Sequence, residues 1–220
     1  MKISIPCFKA YDARGKVPDE LNADIAYRIG RGYAEFIKPK QVAVGRDVRL
    51  SSDELFDALS RGLMDSGVDV LDLGLCGTEM VYFAAFHQQL DGGIMITASH
   101  NPVDYNGMKF VRECARPLSA DSGLLDIHRL AENGDFSTVE NKGNLQRLDL
   151  NQAYIEHLLG YIGNLDQLKP LKIVANSGNG MAGPIIDLLE QRLPFEFIKL
   201  QHQPDGTFPT GMAALSKVIT

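Results

Sequence analysis

Thr97-Ala98-Ser99-His100-Asn101-Pro102 sets a hydroxyl, an imidazole and a carboxamide on three successive residues, directly behind the apolar run Gly93-Ile94-Met95-Ile96. A serine on a turn at the carboxyl end of a buried strand has an exposed hydroxyl, a neighbouring proton-transfer group and loop amides able to face an anion. That is the equipment of a nucleophilic or phosphate-carrying serine. Pro102 forbids continuation of the strand and favours extended backbone at Asn101. The same residue types also make a plain polar turn in which Ser and Asn side chains satisfy backbone groups, so both readings stay open on types alone. Lys109, in Tyr105-Asn106-Gly107-Met108-Lys109, begins or lies inside a strand and needs an anionic partner or a solvent-facing position. Arg14, in Tyr11-Asp12-Ala13-Arg14-Gly15, sits beside a glycine in a predicted loop. Its planar fork suits phosphate, and equally a surface ion pair. In Gly45-Arg46-Asp47-Val48-Arg49, Asp47 and Arg49 read as pins for a strand-to-helix loop rather than as substrate contacts.

Other chemistries find less support. Cys7, Cys76 and Cys114 are far apart and make no Cys-x-x-Cys pair, so neither a zinc site nor a disulfide framework is indicated and reduced, apolar side chains are expected. The five histidines show no metal-ligand spacing, and only His100 falls in a loop with a role. A net charge of −6 argues against nucleic-acid binding through a broad basic face. No stretch nears the roughly 20 apolar residues of a membrane span, and Pro6 interrupts any signal-peptide core. A cytoplasmic soluble protein is expected.

The elements that must position these residues alternate between two periods. Leu21, Ile25, Ile29, Tyr33 and Phe36 trace one face of a helix that Pro39 ends. Val42–Val44 is a short buried strand, and Ser51 with Glu54 forms an S-x-x-E capping box for a helix that stops at Gly67. Val70–Gly74 is the next strand, Thr78–His87 the next helix, and Gly93–Thr97 and Met108–Val111 are further strands. Strands alternating with helices of about 10–15 residues imply crossovers and a mainly parallel sheet covered on both faces, with function at the strands' carboxyl ends. After the polar linker Asn133–Asn144 the pattern restarts: a helix with Tyr154, Ile155, Leu158, Leu159 and Ile162 on one face, strand Leu171–Val174, helix Ile185–Leu193 and strand Phe195–Leu200. The fold class is therefore α/β. A three-layer α/β/α domain with a mainly parallel mixed sheet is expected over 1–140, an incomplete second α/β domain of the same type over 141–209, and a divergent tail over 210–220.

Taken jointly, Phe8–Gly15, Gly45–Ser52, and Thr97–Pro102 with Tyr105–Lys109 resemble the α-D-phosphohexomutase family in order and spacing, and the resemblance runs to Pro209 through Val174–Gly180 and Pro204–Pro209. Within the family it is closest to the bacterial phosphomannomutases. The resemblance implies interconversion of mannose 6-phosphate and mannose 1-phosphate through a phosphorylated Ser99 and a hexose 1,6-bisphosphate, with a glucose-preferring mutase as the alternative. It further implies that His100 assists proton transfer or holds the sugar, that Lys109 stabilises the moving phosphoryl group, and that Tyr11, Arg14 and Asn101 border the substrate. Mg²⁺ is the implied cofactor, with the Ser99 phosphate as one ligand.

The family's Asp-Gly-Asp-x-Asp-Arg metal loop, its sugar-reading loop and its final phosphate loop are not found in this sequence, and the residues after Pro209 depart from the family pattern. A truncated chain with negligible turnover alone is expected, or a non-catalytic remnant, with self-association through the incomplete second domain. The rival enzyme reading is Gly178-x-Gly180-x-x-Gly183, a dinucleotide-binding fingerprint between strand and helix. The acidic residue expected at the end of the following strand is missing, since that strand ends Lys199-Leu200-Gln201. A tight turn packing helix on strand is the alternative there.

Overall fold

The computed structural model describes residues 2–211. Its centre is a seven-stranded mixed sheet with β1 (Ala13–Lys16), β5 (Tyr105–Arg112), β4 (Gly92–Ile96), β2 (Gln41–Arg46), β3 (Asp69–Leu75) and β7 (Leu145–Arg147) in that order, and β6 (Arg116–Pro117) paired to β5. The β4-β2-β3-β7 run is parallel, and β1 and β4 flank β5 antiparallel.

Helices α1 (Ala23–Ile37), α2 (Ser52–Met64) and α4 (Leu124–Asn133) share one core with the sheet, and α3 (Thr78–His87) fills another. Side chains of β2 and β4 alternate between the two. Val42, Val44, Ile94 and Ile96 join Ile29, Leu59 and Ile127, while Ala43 and Met95 join Met80, Val81 and Phe83. Both faces of these strands are buried, which is why they read as unbroken apolar runs.

This topology makes the site. From β2 the chain crosses by α2 to β3 on one side, then returns by α3 to β4 on the other side of β2. The loops leaving β2 and β4 thus diverge from adjacent carboxyl ends, the switch point at which open α/β sheets hold ligands.

Three details differ from the sequence reading. Ser51 occupies the position before α2, but its side chain caps no helix amide; its Oγ accepts instead from Asn106 Nδ2 at 2.9 Å. A tertiary bond has taken the hydroxyl that a local box would use. Strand β1 and helix α4 form where no regular element is predicted. The β7 strand, beyond residue 140, hydrogen-bonds to β3, so the first sheet extends to Arg147.

The second unit comprises α5 (Asn151–Gly160), β8 (Leu171–Asn176), α6 (Ala182–Glu190) and β9 (Phe195–Leu200), with β8 and β9 parallel. Tyr154 of α5 lies 5.2 Å from Phe83 of α3, within the first unit's second core. Most of the tail expected at 210–220, residues 212–220, lies outside the described residues. Among the described residues no helix is long and apolar enough to cross a membrane.

Candidate active site

Ser99 stands exposed on the loop between β4 and β5, with φ at +57°. A serine in the left-handed region stores about 1–3 kcal/mol of backbone strain. It is held there because Thr97 Oγ1 accepts from its amide at 2.9 Å and the Asn101 amide donates back to the Ala98 carbonyl at 3.1 Å. Thr97 is buried, so its hydroxyl is a fixed anchor. His100 Nδ1 lies 3.4 Å from Ser99 Oγ, and both side chains face solvent.

Arg14 arrives from β1, which pairs with β5 beside this loop, Arg14 opposite Gly107. Its Nη1 donates to Asn101 Oδ1 at 2.7 Å, and its Nε and Nη2 reach Asp12 Oδ2 at 2.8 and 2.7 Å. Lys109 Nζ of β5 approaches the same carboxylate oxygen at 3.5 Å. Asp12 is 7% exposed, and it is the anionic partner that a lysine in an apolar strand requires. One carboxylate thus gathers two cations, and Asn101 joins them to the serine loop. Such an array suits the developing charge of phosphoryl transfer. Tyr11 is 76% exposed on the loop before β1.

The loops after β2 and β4 are laced together. Asn106, fully buried, donates from Nδ2 to both Ser51 Oγ and Ser52 Oγ, and Ser52 Oγ donates to Asp47 Oδ1 at 2.8 Å. The Asp47 amide donates to the Ile96 carbonyl. Arg49 sends Nη1 to the carbonyls of Pro102 and Tyr105, at 2.8 and 2.7 Å, and Nη2 to those of Ser99 and Asn101, at 3.1 and 2.7 Å. Burial pushes its pKa below the usual guanidinium range, and the facing Asp47 carboxylate opposes that shift. Asp47 and Arg49 are therefore pins, as their sequence context predicts. Asp12 and Thr97 are the site residues to which sequence reasoning gives no role, whereas Asn106 is read there as a neutral donor; the only signal for Asp12 was its place two residues before Arg14.

A cleft of about 290 Å³ opens beside Ser99 and His100, bounded across by Ser177, Gly178, Gly180 and Met181 of the second unit and by Phe208. Cys76 also lines it, but burial pushes its thiol up to about 12, so it stays protonated and inert. The glycine-rich turn does follow β8 and precede α6. However, the Asp205 carboxylate accepts from the amide and hydroxyl of Thr207 at 2.9 and 2.7 Å. That carboxylate is thus engaged within its own turn rather than free for a ribose, while the Asp205 amide donates to the Asn179 carbonyl of the glycine-rich turn. Among the described residues no group of three or more His, Cys, Asp or Glu could hold a metal ion. One serine oxygen does not make the roughly six-oxygen shell that Mg²⁺ demands, so these residues alone do not fit the ion.

Two family models match the chain. One, described as phosphoglucomutase/phosphomannomutase, alpha/beta/alpha domain I, covers residues 6–138, and the corresponding domain II model covers residues 152–217. The chain is 59% identical over 215 residues to a phosphomannomutase of Salmonella typhimurium, covering 94% of this chain and 47% of that protein. It is 57% identical to a phosphomannomutase of Escherichia coli K12, with the same coverage. A solved phosphoglucomutase/phosphomannomutase family protein from Burkholderia thailandensis superposes with a TM-score of 0.87 at 35% identity, over 96% of this chain and 47% of that one. The chain thus spans about half the length of the curated relatives it matches.

Proposed function

Because the chain belongs to the phosphoglucomutase/phosphomannomutase family, we propose that Ser99 is a phosphoryl carrier in the interconversion of mannose 6-phosphate and mannose 1-phosphate. The observation that carries this reading is the strained, exposed Ser99 at the sheet's switch point, beside the paired cations Arg14 and Lys109. In the first half-reaction a sugar hydroxyl oxygen attacks phosphorus on phosphorylated Ser99. The new O–P bond forms, the bond from phosphorus to Ser99 Oγ breaks, and the hydroxyl proton passes to a base. His100 is placed to return a proton to Oγ. The product is a hexose 1,6-bisphosphate, and its other phosphate returns to Ser99 by the reverse step. Arg14 and Lys109 offset the charge on the phosphoryl oxygens, and Asn101 and Tyr11 border the sugar. Mannose is preferred over glucose in this reading because the relatives at 56–59% identity are named phosphomannomutases, while those at 52% include proteins named phosphohexose mutases.

The phosphohexomutases are generally Mg²⁺-dependent. The described residues do not complete a site for the ion, so repeated turnover by them alone should be negligible, each half-reaction running only as a slow single exchange over a long incubation. A coupled assay giving rates near those of a full-length homologue would overturn that expectation. Substrates carrying phosphate do not cross membranes unaided, in keeping with a cytoplasmic setting. The open face of the β8-β9 sheet is the surface through which self-association would run.

The chemical test is a half-reaction. Mixed with excess mannose 1,6-bisphosphate, the chain should release hexose monophosphate in an amount equal to the protein present, and Ser99→Ala should release none. Equal release by both proteins, or none by either, would remove Ser99 from the role.

A further inference from the structure

We propose that Arg49 is the positioning residue of the Ser99 loop, and that the second unit secures it through Phe208. The consequence for phosphoryl transfer rests on the carrier reading of Ser99; the positioning itself does not.

The Arg49 guanidinium has five N–H groups in a rigid plane, and four carbonyls converge on its two Nη atoms. All four belong to the seven-residue segment 99–105, which carries Ser99, His100 and Asn101. A single side chain therefore fixes the backbone from the serine's own carbonyl onward to Tyr105. Its Nε lies 3.4 Å from Asp47 Oδ2, so the guanidinium is anchored at the β2 end as well. The Arg49 side chain is 1% exposed, which keeps it from touching a sugar phosphate in the cleft. It acts through the loop, and through Asn101 it also sets where Arg14 points.

The cover over this arginine comes from elsewhere in the chain. Phe208 is buried with its ring centroid 5.6 Å from the guanidinium carbon, within cation–π range. Its backbone is in the left-handed region, φ +46°, and its amide donates to the Asp205 carbonyl at 3.0 Å. Gly206 brings the same turn against the Asp47–Leu50 loop so closely that a β-carbon there would lie 2.2 Å from the Val48 carbonyl oxygen. The turn is in turn held to the second unit's glycine loop, the Asp205 amide donating to the Asn179 carbonyl at 2.9 Å. A continuous path of contacts thus runs from the glycine loop through Phe208 and Arg49 to Ser99.

The test compares the full chain with Arg49→Lys and Phe208→Ala. Lysine keeps the charge but offers three donors from one point, so it cannot span four carbonyls. In both variants, amide hydrogen exchange in the 97–106 loop should accelerate at least about tenfold, the equivalent of one lost charged hydrogen bond. Exchange in β2 and β4 should not change. In Arg49→Lys the saturating rate of phosphate uptake onto Ser99 from mannose 1,6-bisphosphate should fall by about the same factor, while the half-saturating concentration stays put, because the buried arginine does not reach the cleft. Phe208 borders the cleft, so its variant is judged on loop exchange alone. Wild-type behaviour of Arg49→Lys would reduce the arginine to a charge and overturn the positioning claim. Unchanged loop exchange in Phe208→Ala would overturn the link to the second unit, and this variant decides the matter if Arg49→Lys does not fold. If the wild-type chain takes up no phosphate, the carrier reading falls, and the exchange comparison still decides the positioning claim.

Discussion

In the proposed carrier role of Ser99, transfer would depend less on the hydroxyl than on the groups that hold its surroundings charged and still. Asp12 is the clearest case: nearly buried, it receives two donors from Arg14 and faces Lys109 with one oxygen. Asp12→Asn would keep the shape and remove the charge that gathers both cations. It should slow phosphate transfer at Ser99 by at least about tenfold, on the scale of a lost charge-assisted contact, with little change in the unfolding midpoint. Stopped-time labelling of Ser99 measures it, and an unaltered rate would show that Arg14 and Lys109 need no shared anion. Lys109 was legible because a lysine in an apolar strand needs a partner, whereas Arg14, His100 and Asn101 stood out only through the joint resemblance of their segments to the family. Asp12 was not legible, since an aspartate in a loop needs no explanation, and only the fold shows what it touches.

Among the elements, the buried strands and the helix Thr78–His87 could be read from apolar runs and glycine stops, because burial on both faces leaves a plain signature. What escaped depended on distant partners. The strand β1 is four residues containing Arg14 and Lys16 and exists because β5 lies beside it. The Ser51 hydroxyl serves Asn106, which is 55 residues away. Helix α4 had a signal, Leu124, Ile127 and Ala131 on one face, but its polar setting hid it. Helices α1 and α2 cross at Gly30 and Gly62, and a β-carbon on Gly62 would lie 2.2 Å from the Tyr27 carbonyl oxygen. Backbone cannot yield there, so Gly62→Ala should destabilise the chain by about 1–3 kcal/mol, a usual overpacking loss, despite alanine's better helix propensity. Denaturant unfolding that shows a gain would contradict the crossing. Glu132 of α4 accepts from the Ile5 amide at 3.0 Å and faces His128, and the amide bond chiefly holds its pKa below the ordinary 4.5. Its contribution is therefore complete above that value and is lost as pH falls through and below it. Stability measured from pH 6 downward (about pH 6 to 3) should decline less steeply in Glu132→Gln than in the wild type; parallel curves would refute the assignment.

For the whole molecule, the relation between the two units decides what Ser99 can do. The cleft takes walls from both, and the Phe208 turn closes over the arginine that holds the serine loop. The second unit also leaves Val174, Ile198 and Leu200 exposed on one face of β8 and β9, a face that favours pairing with another copy. Sedimentation velocity should show association rising with concentration, and Val174→Lys should suppress it; a monomer throughout the range would contradict that expectation. The fold class and the doubling of units were visible in the sequence as a repeated strand–helix pattern, whereas the turn from the second unit onto Arg49 was not, because no local periodicity encodes a contact between a phenylalanine and an arginine 159 residues apart. The most direct measurement of the central claim is peptide mass spectrometry of the full chain after incubation with mannose 1,6-bisphosphate. One phosphate on Ser99, lost again when mannose 6-phosphate is added, is the predicted result. A chain without phosphate, or with it on any other residue, would contradict the account.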